Sequence, residues 1–286
     1  MMISMNRRQL LGTIGTTIGT ALGAAATSAT LRSQSTTPAS NAPIKLGVAT
    51  YSLREFQRDL AIHRIQEMGI AYADVKEVHL PQNDSPAQLA AGRHAFDKAG
   101  IDVIAGGNIT LSEPDEAGLR PHFEYARLCK FPIMVCAPHR DNLALVEKLA
   151  IEFDVKIAIH NHGPEDKQFP TPRSVLEAVK NMDPRMGLCI DIGHTARTGE
   201  DIVESVRLAG PRLYEMHFKD LRDKTKESQC IVGQGMLPIP AIFRELRKIG
   251  YTGVCSLEYE IEGDDPVPGM QQSFAYMRGV IAGQNS

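Results

Sequence analysis

Four residues able to share a metal ion stand at the ends of four apolar runs. The runs read Ile157-Ala158-Ile159-His160, Leu188-Cys189-Ile190-Asp191, Tyr214-Glu215-Met216-His217 and Cys255-Ser256-Leu257-Glu258. A strand buried on both faces ends in apolar residues unless chemistry is needed at that end. Taken singly, a strand-end Asp often caps the next helix and a lone His often sits satisfied in a core. Four such groups on successive runs point instead to a common centre. Two imidazoles and two carboxylates suit one divalent ion (Mn²⁺, Co²⁺, Zn²⁺ or Mg²⁺) at about 2.0–2.3 Å. With no thiolate in the set, a structural zinc is not expected.

Residues this far apart in sequence meet only if the strand ends converge. From Ile44 onward, short apolar runs alternate with segments of helical period. The strand candidates are Lys45–Thr50, Ala73–His79, Asp102–Gly106, Ile133–Ala137, Lys156–Asn161, Gly187–Ile192, Leu213–Phe218 and Gly253–Tyr259. Most are continuously apolar, as parallel strands covered on both faces are. Between them, Ser85-Pro86 and Thr171-Pro172 read as helix starts, and Gly69, Gly100 and Gly250 as stops. Val146, Leu149, Ala150 and Phe153 mark one buried helical face, and Met270, Phe274, Met277 and Ile281 another. Eight such units in roughly 245 residues predict an α/β fold, a closed (β/α)8 TIM barrel forming a single domain over 44–286. An open doubly wound sheet is the alternative. The first strand–helix turn, Tyr51-Ser52-Leu53-Arg54, lacks the glycine-rich phosphate loop of that architecture.

The composition narrows the partners. A net charge of −3 provides no basic field for nucleic acid, and with no Trp and scattered Tyr and Phe there is no row of stacking aromatics. The five Cys (129, 136, 189, 230 and 255) form no CxxC pair, and their odd number argues against a disulfide framework. Small buried hydrophobes are their expected role. Residues 1–29 resemble a twin-arginine signal peptide, with Asn6-Arg7-Arg8-Gln9-Leu10-Leu11 ahead of a weakly apolar run. Residues 30–43 read as a disordered linker. The expectations are handling by the twin-arginine machinery, a periplasmic or otherwise exported location, and no stable membrane insertion after processing.

The chain from about Ile44 to its end resembles the sugar phosphate isomerase/epimerase superfamily, the xylose isomerase-like TIM barrels that include AP endonuclease family 2. The segments that carry the resemblance are Cys189-Ile190-Asp191-Ile192-Gly193-His194, Met216-His217-Phe218-Lys219-Asp220, Val232-Gly233-Gln234-Gly235 and Tyr251 through Glu258. The resemblance implies one divalent metal, manganese first, held by Glu, Asp, His and Glu from strands five to eight. Asp191, His217 and Glu258 match that pattern; His160 stands where the strand-five Glu is usual. On strand two, Lys76 takes the place of a second Glu, with Glu77 facing the other way. A symmetric two-carboxylate epimerase is therefore not expected. The three-zinc endonuclease branch is not matched either, since Asp220-Leu221-Arg222-Asp223 lacks the Asp-x-His those enzymes carry.

These readings together imply a metal-dependent sugar isomerase/epimerase that removes the proton beside the carbonyl of a keto-sugar and stabilises the enediolate. Lys76, His79, His162 and His194 are the candidate acid/base groups. Arg197, Lys219 and Glu260 are candidates to grip the carbohydrate. Gly233 and Gly235 are expected to let the loop after strand seven turn closely, more than to hold a phosphate. One alternative is a lyase that eliminates the β-substituent of a 3-keto-glycoside. The other is a non-catalytic, exported sugar-binding barrel.

Overall fold

A computed structural model of the chain describes residues 43–284. The signal-peptide reading of residues 1–29, and all of the linker reading except Pro43, fall outside the described residues. Eight parallel strands close into one barrel: β1 (Lys45–Ala49), β2 (Tyr72–Val75), β3 (Asp102–Leu111), β4 (Ile133–Pro138), β5 (Lys156–His160), β6 (Met186–Asp191), β7 (Leu213–Phe218) and β8 (Val254–Leu257). Each pairs with its sequence neighbours, and β1 closes the ring by pairing with both β2 and β8. The expected TIM barrel is therefore the fold. Outside it run α1 (Arg58–Glu67), α2 (Pro86–Lys98), α3 (Glu116–Leu128), α4 (Leu143–Phe153), α5 (Pro172–Val179), α6 (Ile192–Thr198), α7 (Ile202–Ala209), α8 (Ile239–Lys248) and α9 (Val267–Gly283). No helix of the described residues is long and apolar enough to cross a membrane.

The local signals act as the sequence suggests. Ser85 and Gln88 form a reciprocal capping box at α2, and Thr171 and Ser174 form one at α5, each ahead of a Pro in the first turn. Such a cap contributes about 1 kcal/mol. Gly69, Gly100 and Gly250 adopt positive φ just past α1, α2 and α8. The main core lies between barrel and helices; Val146, Leu149, Met270, Phe274 and Met277 are buried in it, and Phe218 stacks on Phe243 with ring centroids 5.0 Å apart. All five Cys are free and buried.

Inside the barrel the filling changes with height. Ala105, Val135, Ala158 and Cys189 form a small apolar plug. Around and above it stand buried polar groups: Asp74 on β2, Glu215 and His217 on β7 and Ser256 on β8. Two boundaries differ from expectation by more than two residues. β2 stops at Val75, because the chain turns back there, with His79 and Leu80 N–H groups both donating to the Lys76 carbonyl. β3 runs five residues beyond Gly106, pairing along β4 to Pro138 after a shift in register between Gly106 and Ile109.

Candidate active site

Consecutive strands bring four donors to one point at the C-terminal mouth. His160 closes β5 and Asp191 closes β6. His217 lies opposite Asp191 in the β6–β7 register, and Glu258 follows β8 directly. One donor atom from each, all four residues buried, lies within 4.8 Å of every other. His217 Nδ1 is 3.0 Å from His160 Nε2 and 3.4 Å from Glu258 Oε2, and His160 Nε2 is 3.6 Å from Asp191 Oδ2. Ligands about 2.1 Å from a shared ion stand roughly 3.0–3.5 Å apart in octahedral or tetrahedral sets.

The surroundings suit a cation. Asp191 divides its two oxygens: Oδ1 accepts the His194 N–H at 2.8 Å and caps α6, whereas buried Oδ2 faces the other donors and Lys219 Nζ, 3.0 Å away. Capping and ligation thus use different atoms of one side chain. His217 donates Nε2–H to Asp74 Oδ2 at 3.0 Å, which turns Nδ1 toward the other donors. Burial, and then the neighbouring His162, hold the His160 imidazole well below its usual range, so it is neutral, as a ligand must be. Burial pushes the Asp191 and Glu258 carboxyls up, but the Lys219 ammonium together with the neighbouring imidazoles (and, for Glu258, Lys76) outweighs it and keeps both well below the usual carboxylate range. The residues present fit a divalent ion.

Two buried lysines complete the charge. Lys219 Nζ lies 3.0 Å from Asp191 Oδ2 and 3.1 Å from each of Glu258 Oε2 and Glu260 Oε1. Lys76 Nζ lies 2.8 Å from Asp74 Oδ2 and 3.5 Å from Glu258 Oε1. Burial pulls Lys76 down, yet Asp74 and Glu258 hold its pKa above the ordinary lysine value. Lys76, expected among the acid/base groups, stands at the cavity wall between these carboxylates, which favour its charged form.

Over this floor opens a cavity of about 370 Å³, lined by His160, His162, His194, Glu258, Lys76 and Asn108, with Tyr51, Glu77, Val78 and Glu260 among its other walls. Asn108 Nδ2 donates to His162 Nε2 at 2.9 Å, so that nitrogen holds a lone pair and the ring proton sits on Nδ1, 3.7 Å from Asp166 Oδ2. Arg197 Nη1 donates to His194 Nδ1 at 3.2 Å, which places the His194 proton on Nε2. The two imidazoles thus present opposite tautomers, with ring centroids 5.6 Å apart. Burial, then the neighbouring His194, lowers His162 below the usual imidazole range and favours its neutral form.

Other expected site residues are placed differently. His79 is turned away, its Nε2 donating to the Phe56 carbonyl at 3.1 Å, because the chain reverses after Val75; it does not line the cavity. Arg197 stands behind His194 and is paired with Glu165, so it orients an imidazole instead of reaching the cavity. Lys219 lies beneath the lining, held by three carboxylates, while Glu260 does reach the wall. Glu77 does not face away from Lys76: both line the cavity, since strand alternation ends at Val75. The Gly233 and Gly235 N–H groups both donate to Asp220 Oδ2, at 2.9 and 3.1 Å, so a carboxylate occupies the place a phosphate would take. Sequence reasoning missed Asp74 and Asn108. The one signal for Asp74 was an acid inside an apolar strand; Asn108 sits on an unforeseen extension of β3.

Comparison with known proteins agrees with this architecture. The model of the xylose isomerase-like TIM barrel family matches residues 136–280. An inosose dehydratase of Lactiplantibacillus plantarum is 27% identical over 139 residues, covering 46% of this chain and 42% of that protein. The chain thus spans about two fifths of the curated relatives it matches. A D-psicose 3-epimerase solved in the presence of D-fructose superposes with a TM-score of 0.68 at 18% identity, covering 83% of this chain and 99% of that one. The zinc-bound IolI protein does so with a TM-score of 0.69 at 20% identity, covering 84% and 98%. At these identities the structural likeness establishes the fold.

Proposed function

The chain belongs to the xylose isomerase-like TIM barrel family, and on that premise we propose that it is a metal-dependent enzyme of isomerase/epimerase type acting on a keto-sugar. The observation that carries the reading is the meeting of His160, Asp191, His217 and Glu258 beneath a cavity that also holds two imidazoles of opposite tautomer. His160, Asp191, His217 and Glu258 would hold a divalent ion, manganese first, which when bound would supply Lewis-acid polarisation of a carbonyl oxygen. Neutral His162 takes the proton beside that carbonyl on Nε2, once substrate displaces the Asn108 N–H from its lone pair. His194 Nε2–H, fixed by Arg197, is the proton donor for the return step. Lys76 keeps a positive charge at the cavity wall, where it stabilises negative charge developing on the sugar oxygens.

One observation favours a second outcome. Lys76 is held as a cation by Asp74 and Glu258 and so does not serve as a second base. That asymmetry suits loss of a β-substituent, a lyase reaction, better than reversible exchange between two faces. The dehydratase name of a curated relative supports the same outcome. Incubation of the metal-loaded protein with D-fructose and with methyl 3-keto-β-D-glucopyranoside in D₂O separates the two. Deuterium in intact sugar is the isomerase/epimerase result, and release of methanol is the lyase result. Neither exchange nor cleavage, with metal bound, would leave the barrel as a sugar-binding protein. The reading includes export by the twin-arginine route, supported by Arg7-Arg8 ahead of an apolar run. Replacing both with Lys should leave the full chain in the cytoplasm on cell fractionation; unchanged fractionation contradicts export by that route.

A further inference from the structure

We infer that the cavity selects an uncharged keto-glycoside whose second ring rests on Tyr51 and Val78, and rejects phosphorylated sugars. This rests on the keto-sugar reading of the site and adds to it the charge and size of the substrate.

Charge is the first observation. Lys76 is the cation among the described lining residues, and Asp74 and Glu258 already hold it. Just beneath the lining, Lys219 is shared by Asp191, Glu258 and Glu260. Arg197 is paired with Glu165, and Arg54 gives its guanidinium to two backbone carbonyls, those of Tyr51 at 3.3 Å and Glu260 at 3.1 Å. The start of α6 is taken by the Asp191 cap, and the Gly233–Gly235 turn by Asp220. The lining itself carries Glu77, Glu258 and Glu260. A phosphate needs Arg, Lys or free N–H donors. Here each of these cations and N–H groups already faces an acceptor, and the added anion meets carboxylates.

The rim is the second observation. Tyr51, in the turn after β1, and Val78, in the loop after β2, remain 43% and 49% exposed, and both border the same cavity. Tyr51 is a built platform: the Arg54 guanidinium lies 4.9 Å from its ring centroid, and that guanidinium is itself held to the Glu260 carbonyl. An aromatic ring beside an aliphatic side chain suits the C–H face of a second sugar or an aromatic aglycone. The cavity volume of about 370 Å³ falls toward the lower end of the range of small-molecule sites, room for a sugar ring with a further group beside it.

The test uses the full metal-loaded protein and three probes: methyl 3-keto-β-D-glucopyranoside, its phenyl counterpart, and the 6-phosphate of the methyl compound. Binding is read by calorimetry under conditions of negligible turnover. The expected result is that the phenyl compound binds about tenfold more tightly than the methyl, and the phosphate at least about tenfold more weakly. Tyr51→Ala and Val78→Ala should bring the phenyl-to-methyl ratio to about one, while Tyr51→Phe keeps it; bound metal and the unfolding midpoint report that the variants are folded. Equal binding of phenyl and methyl compounds, a ratio that survives Tyr51→Ala, or preference for the phosphate overturns this inference alone. No binding of any probe to the metal-loaded protein overturns the keto-sugar reading, and this inference with it.

Discussion

The two arcs of the barrel mouth are built on opposite principles. Along β5 to β8 the polar side chains answer to one another: His217 to His160 and Glu258, and Asp191 and Glu258 to Lys219. These groups are buried and stand at or beside strand ends, where the barrel itself sets their spacing. Along β1 to β3 the lining residues Tyr51, Glu77, Val78 and Asn108 are exposed, and the first three lie beyond their strands. A rigid arc suits an ion and its electrostatics, and a looser arc suits recognition of what enters. Asp74 and Lys76 connect the two, reaching from β2 under the cavity to His217 and Glu258.

That contrast can be broken from the rigid side first. His217→Ala removes the donor at the centre of the cluster; bound metal should fall to background and turnover with it, as read by metal analysis of the purified variant. Retained metal would mean that the ion does not sit on β7. His162→Gln should lower turnover by about 10²–10⁴-fold with metal content unchanged, because it removes a base and no ligand. Loss of metal in that variant would place His162 among the ligands. Asp74→Asn should weaken metal affinity by about 10–100-fold, since the His217 tautomer loses its carboxylate partner; unchanged affinity in a competition titration would deny Asp74 that role. Asn108→Ala, on the looser arc, should cost less than about tenfold in turnover, the worth of one hydrogen bond. A loss as large as that of His162→Gln would show that the two arcs are not distinct.

Much of the rigid arc was legible because two periodic signals coincide there. Apolar runs mark the strands, and His160, Asp191, His217 and Glu258 interrupt them at matching heights. The looser arc was less so. Nothing local announces that the chain reverses after Val75, and that reversal decides that Lys76 and Glu77 both face the cavity while His79 does not. Asn108 depends on a register shift between β3 and β4, which side-chain periodicity does not encode. The tie between Asp74 and His217 spans 143 residues and exists only once β1 has closed the ring with β2 and β8. The Asp191 and Gly233–Gly235 readings show a further limit: sequence proposes a cap or a phosphate turn, but which oxygen or N–H is already taken is a property of the packed structure.

The proposed chemistry requires one ion held by two imidazoles and two carboxylates. Pulsed EPR on Mn²⁺-loaded protein carrying ¹⁵N-labelled histidine addresses this directly. One equivalent of Mn²⁺ with hyperfine couplings from two imidazole nitrogens, one of them lost in His160→Ala and the bound-Mn²⁺ signal itself lost in His217→Ala, is the predicted result. An Mn²⁺ signal with no imidazole coupling, or one unchanged by both substitutions, would contradict it.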